Sequence, residues 1–149
     1  MDDPVKTLKT LLEDEWLLTE NATMKENIVF RTEQPIKPDT RFLSKNTSIE
    51  ISQVASGANP RNEGRTVFRE TIAINIWVRI APPNEAGVAT AVDNKRKLIE
   101  EVRRIVKANR HSASGIDFVY FGGDKSLNGL GEEPPFLRTA VDVVCIYNV

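Results

Sequence analysis

The sequence predicts an α+β protein with a mostly antiparallel sheet packed against two helices, in the order α-β-β-β-α-β-β. Three observations predict it. From Thr66 to Ile80 the chain alternates, with Ile72, Ile74, Ile76, Val78 and Ile80 at every second position, so they share one face of a long strand. After the break Ala81-Pro82-Pro83-Asn84 the period switches, and Val92, Leu98, Ile99, Val102, Ile105 and Val106 fall on one arc of a helix. Shorter strand-like runs flank this pair on both sides. The length of 149 residues suits a single domain, 1–149.

In chain order, Asp3-Pro4 reads as an N-cap followed by a first helical residue, and Val5, Leu8, Leu11, Leu12 and Trp16 recur at helical spacing. The first helix is expected from Pro4 to about Leu18. Glu13, Asp14 and Glu15 fall at its C-terminal end, where the macrodipole disfavours acid, so they call for nearby cations or solvent. Asn27–Arg31 is a short strand. Gln34–Asp39, with two prolines, is a turn-rich connection. Ser48–Val54 is a second strand with Ile49 and Ile51 facing inward and Glu50 and Ser52 outward. Ser56–Arg65 is a polar hairpin loop before the long strand.

The second helix has two candidate starts. Thr90 with Asp93 forms a possible capping box, and Asn84 is an alternative that would place Gly87 in the first turn at some cost. Its outer face is expected to carry Arg96, Lys97, Glu100, Glu101, Arg103, Arg104 and Lys107, with Lys97/Glu101 and Glu100/Arg104 paired at i,i+4. The helix ends at Ala108–Ser112. Ile116–Phe121 is the fourth strand, Gly122–Pro135 a loop, and Leu137–Tyr147 the last strand. Apolar residues on both faces of that last strand suit a central or interface position.

Acidic residues (21) nearly balance basic ones (20), which argues against a strongly basic nucleic-acid binder. No apolar run is long enough to cross a bilayer, and the N-terminus has neither the basic nor the apolar region of a signal peptide, so a cytoplasmic setting is expected. Cys145 and His111 each stand alone, which rules out an intrachain disulfide, a CxxC pair and a His-based metal cluster within one chain. No cofactor is expected.

Possible chemistry gives way to simpler readings. Gly122-Gly123-Asp124-Lys125-Ser126 lacks the upstream glycine and following helix of a phosphate loop, and Asp124 would repel phosphate, so it reads as a plain loop. His111 with Ser112, Ser114 and Asp117 lacks a nucleophile elbow and reads as a basic residue at a helix C-terminus. Glu132-Glu133 and Glu13-Asp14-Glu15 lack calcium-loop spacing and read as solvated surface. The chain is expected not to be an enzyme.

The candidate site is an interface. Arg61, Arg65 and Arg69 lie in or beside the hairpin loop, where they are available to an acidic partner or nucleic acid. Trp77 points away from the isoleucines, among Thr71, Ala73, Asn75 and Arg79. It calls for a cover, either the first helix or another subunit. Val144 and Ile146 raise the same question.

Glu70–Val106 resembles the tail-terminator and tail-completion proteins of tailed bacterial and archaeal viruses. The parts that carry the resemblance are the helix Val5 to Trp16, the strand Ile74-Asn75-Ile76-Trp77-Val78, the helix Glu85 to Val106, and the closing strand Val141-Asp142-Val143-Val144-Cys145-Ile146-Tyr147. The resemblance implies a structural virion protein of the head–tail neck, assembled in the host cytoplasm. It would form a homo-oligomeric ring, usually a hexamer, that terminates the tail tube and joins it to the head connector or adaptor. Its partners would be the tail tube protein, the connector, and genomic DNA passing through the lumen without sequence-specific binding. Alternatives are a head-closure or tail-tube subunit of such a virus, or a cellular non-enzymatic binding module.

Overall fold

The computed structural model describes residues 3–32, 45–60, 66–111, 113, 115–129, 131 and 135–148. Its elements are α1 (Pro4–Glu15), β1 (Ile28–Arg31), β2 (Thr47–Pro60), β3 (Thr66–Arg79), α2 (Glu85–Ala108), β4 (Phe118–Ser126) and β5 (Phe136–Asn148), with two short 3-10 turns between α1 and β1. The α+β class and the order α-β-β-β-α-β-β are as the sequence predicts. The sheet runs β1-β2-β3-β5-β4. Only β1–β2 is parallel; β2–β3, β3–β5 and β4–β5 are antiparallel. β5 is therefore an interior strand, which explains its apolar residues on both faces.

Both helices pack on the same face of the sheet. Register aligns Ile72, Ile74 and Val78 of β3 with Val143, Val141 and Leu137 of β5, and Ile74 and Ile76 with Ile51 and Ile49 of β2. Over them lie Leu8, Leu12 and Trp16 from α1 and its end, and Leu98, Val102, Ile105 and Val106 from α2. This period-2 face meeting period-3.6 stripes is the core.

The helix caps follow the sequence. The Asp3 carboxylate accepts from the Val5 amide at 3.0 Å. Asn84, not Thr90, starts α2, its side chain accepting from the Gly87 amide at 3.0 Å, while Thr90 donates to the Ala86 carbonyl. Gly87 does sit in the first turn, and the reason is steric. A Cβ there would collide with the Pro82 carbonyl, so glycine lets the entering chain lie against the helix.

Several boundaries differ from expectation. α1 stops at Glu15, short of Leu18, because Trp16 turns to extended backbone. That turn drops its indole into the core, where Nε1 donates to the Thr23 carbonyl at 2.9 Å. Ser56–Pro60 continue β2 and pair with Thr66–Glu70, so they are not loop. A register shift between Gln53 and Ala55 accompanies this extension and leaves Val54 exposed. Likewise β4 continues through Gly122–Ser126, shrinking the expected loop. Gly123, at φ 138°, sits at a register shift that follows Phe121. The two-proline connection Gln34–Asp39 lies outside the described residues.

The outer face of α2 is also corrected. Glu101 is buried, not outward. It accepts from the Leu17 amide at 2.6 Å and from Arg104 at 2.5 Å, closing the end of α1 onto α2. The expected i,i+4 pairs give way to Arg104–Glu101 and Arg103–Glu100 at i,i+3, and to Lys97–Glu20 between elements. Two of the three acids ending α1 find partners: Glu13 pairs with Lys9, and Glu15 accepts from Asn109 at its carboxylate and from Arg104 at its carbonyl, while Asp14 is exposed.

Candidate functional site

Of the interface residues expected from the sequence, the described ones, Arg69, Trp77, Val144 and Ile146, lie on the face of the sheet that faces away from both helices. Alternation puts Arg69, Thr71, Ala73, Asn75, Trp77 and Arg79 of β3 there, with Arg138, Asp142, Val144 and Ile146 of β5 beside them. Trp77 is therefore not covered by α1, which lies on the opposite face; that part of the expectation is corrected. Arg61 and Arg65 lie outside the described residues.

This face has two ends. At one end Trp77 stands between Ser48 of β2 and Arg138 of β5. The Arg138 guanidinium carbon lies 4.9 Å from the centre of the Trp77 ring, a cation–π geometry. The same guanidinium donates to the Asn75 side chain at 2.9 Å. Glu50 takes the outward face as expected, yet is completely buried there opposite Asn75, with Arg31 across from it on β1. Trp77 itself is 4% exposed within the single chain. It is a folded-core residue of this face, with little area left to bury against another molecule.

The other end is different in kind. Arg69 is exposed and sits directly opposite Ile146, which is partly exposed and pairs in turn with Phe118 of β4. The Arg69 guanidinium donates to the Tyr120 hydroxyl at 3.0 Å. Phe118 and Tyr120 have ring centres 5.5 Å apart, and His111 lies 5.1 Å from Phe118. Val144, opposite Tyr120, is buried beneath them. Arg69 and Ile146 are thus brought together, and Trp77 is eight residues along β3 from them, roughly 26 Å at a strand's rise of about 3.3 Å per residue.

Reading along the chain does not single out Phe118, Tyr120 or Arg138 as members of this face. Their alternation within β4 and β5 was visible, but which strand they would lie beside was not. The remaining candidates are placed as follows. Gly122–Ser126 is extended strand, without the turn into a helix that phosphate cradling requires. His111 is exposed against Phe118, and its partners Ser112 and Ser114 lie outside the described residues, as do Glu132 and Glu133. Among the described residues no group of three or more His, Cys, Asp or Glu side chains gathers as for a metal ion.

Titratable groups in the core are held away from reactivity. Burial, helped by the Glu70 charge, pushes the Cys145 thiol up to about 12. Burial, then the hydrogen bond to Glu70 at 2.6 Å, pushes Tyr147 up to about 12. Burial also raises the Glu101 carboxyl, but the bonds from Arg104 and the Leu17 amide outweigh it and hold the group below the usual carboxylate range.

No protein-family profile matches the chain, and no curated protein sequence matches it either.

Proposed function

We propose that the chain is a non-enzymatic structural subunit that assembles with copies of itself, as a ring at the head–tail neck of a tailed virus. The observation that carries this reading is the partly exposed patch of Ile146, Phe118 and Tyr120 beside Arg69, on a sheet face to which neither described helix contributes. Apolar and aromatic surface rimmed by arginine is the composition of subunit interfaces. The resemblance to tail-terminator proteins read from the sequence supports this context for the patch. On this reading the ring stops the tail tube, meets the tube protein on one side and the head connector on the other, and lets genomic DNA pass.

Light scattering coupled to size exclusion, with negative-stain imaging of the same fractions, tests it. Closed rings of several copies are expected. Long stacked tubes would instead favour a tube subunit, and a monodisperse monomer at every concentration would overturn the assembly reading. A cellular binding module is then distinguished by a ligand-dependent rise in melting temperature.

A further inference from the structure

A second surface lies around the edge of the sheet, between the C-terminal half of α2 and β4. It is a groove of about 250 Å³ with a floor of Val106 and Val119, both buried. Along one wall α2 sets Arg103 and Lys107 at i and i+4, and Arg110, two residues past the helix end at Ala108, extends the line of like charge. Such spacing is unfavourable for an isolated helix, because like charges one turn apart repel. Arg103 is partly neutralised by Glu100 at 3.3 Å and Asp124 at 3.9 Å. Among the described residues no carboxylate lies within ion-pair distance of Lys107 or Arg110. The other wall is β4, which among the described residues pairs with β5 alone. The Val119 amide points away from β5, to the Arg110 carbonyl at 2.9 Å, so alternation turns the Phe121 amide outward as well.

We propose that this groove binds an extended acidic peptide, which adds to β4 as a further strand and sets alternate carboxylates against Lys107 and Arg110. Two features select this occupant. A strand edge presents backbone donors and acceptors that match another peptide backbone, with specificity from alternate side chains. The uncompensated charge beside it is cationic. A nucleic-acid strand fits less well: the Phe121 ring face is already taken by the Arg103 guanidinium at 4.7 Å, leaving no free platform for a base, and Asp124 and Glu100 interrupt the cationic track. The groove and the Ile146 patch share Tyr120, but Lys107 and Arg110, on which the proposal is tested, lie outside the patch, so the proposal can fail or hold independently of the ring.

The probe is a fluorescein-labelled peptide of about ten residues alternating glutamate with valine, titrated with the full chain and followed by anisotropy. Saturable binding that weakens with added salt is expected, together with slowed hydrogen exchange at the Phe121 amide. Lys107→Glu and Arg110→Glu should each weaken binding roughly tenfold while leaving the melting temperature within a few degrees. No saturable binding, binding unchanged in both charge-reversal variants, or equal affinity for a lysine–valine peptide would overturn the proposal. So would tighter binding of a labelled single-stranded oligonucleotide without protection at Phe121.

Discussion

On the helix-covered face of the sheet, Ile72 and Ile74 meet Val143 and Val141, and α1 and α2 close over them with leucine, valine and isoleucine. On the other face, eight residues of one strand pass from Arg69 to Trp77, and the chemistry changes along the way. Trp77 is dried beside Arg138, Asn75 and a fully buried Glu50, whereas Ile146 remains partly open beside Arg69. The first face is buried mainly by apolar area, which is insensitive to direction, with polar contacts such as Trp16 to Thr23 and Tyr147 to Glu70 at its margins. The second is buried at its Trp77 end through oriented polar contacts, which tolerate far less displacement. On the proposed assembly, the subunit contact falls at the Ile146 end, where area is still available, and not at the Trp77 end, where the folded chain has already used it.

Removal of the Trp77 ring breaks this comparison most severely. Trp77→Ala is expected to cost about 3–5 kcal/mol in urea unfolding, as for other buried aromatic truncations, because the ring is 4% exposed and carries the Arg138 contact. A loss below about 1 kcal/mol would mean that the polar end is not part of the monomer core.

Gly87→Ala comes next. The added methyl meets the backbone of Pro82, which cannot swing aside as a side chain would. An overpacking cost of about 1–3 kcal/mol is expected, even though alanine is the better helix former in the abstract. A stabilised variant in thermal melts would show that the chain before α2 can withdraw freely from the helix.

Glu101 links the two helices, and its effect depends on pH. Its folded carboxyl titrates below its ordinary value of 4.5, so the unfolded chain binds the extra proton first as acid is added. The stability it contributes is thus complete above about pH 4.5 and is lost as pH falls through the lower folded value. Glu101→Gln should cost about 1–3 kcal/mol near neutrality, because it removes the charge from the Arg104 and Leu17 bonds. It should also flatten the decline in urea midpoint below pH 4.5; an unchanged slope would remove Glu101 from the acid response.

How much of this was legible in the sequence follows from the range of each interaction. The isoleucine face of β3 and the apolar arc of α2 were visible because periodicity is a local property. The cap at Asp3 was visible for the same reason, whereas Asn84 was one of two candidate starts, because Thr90 with Asp93 also has the local pattern of a capping box. Glu101 was not, because the amide that buries it belongs to Leu17, 84 residues away. The polar stretches Ser56–Pro60 and Gly122–Ser126 read as loops on composition, yet they are strands because Thr66–Glu70 and Thr139–Asp142 supply their ladders. At the candidate site, Trp77 is found by alternation, Val144 and Ile146 by apolar residues on both faces of the last strand, and Arg69 by its place beside the hairpin loop. Their division into a dry end and an open end is not, because it depends on the register that sets Arg138 beside Trp77 and Ile146 beside Arg69.

The smallest effect on folding is expected at the open end, and there it separates folding from assembly. Ile146→Glu places a carboxylate directly across β3 from the exposed Arg69, so a cross-strand charge pair compensates part of the lost apolar contact. The folded monomer should lose no more than about 1 kcal/mol in urea unfolding. Self-association should be lost nonetheless, because a charge now lies in the middle of the apolar patch, where an interface core would have to desolvate it. Rings that persist in Ile146→Glu would move the subunit contact away from this patch. A monomer that unfolds outright would place Ile146 with Trp77 in the core, and the distinction between the two ends of the face would be lost.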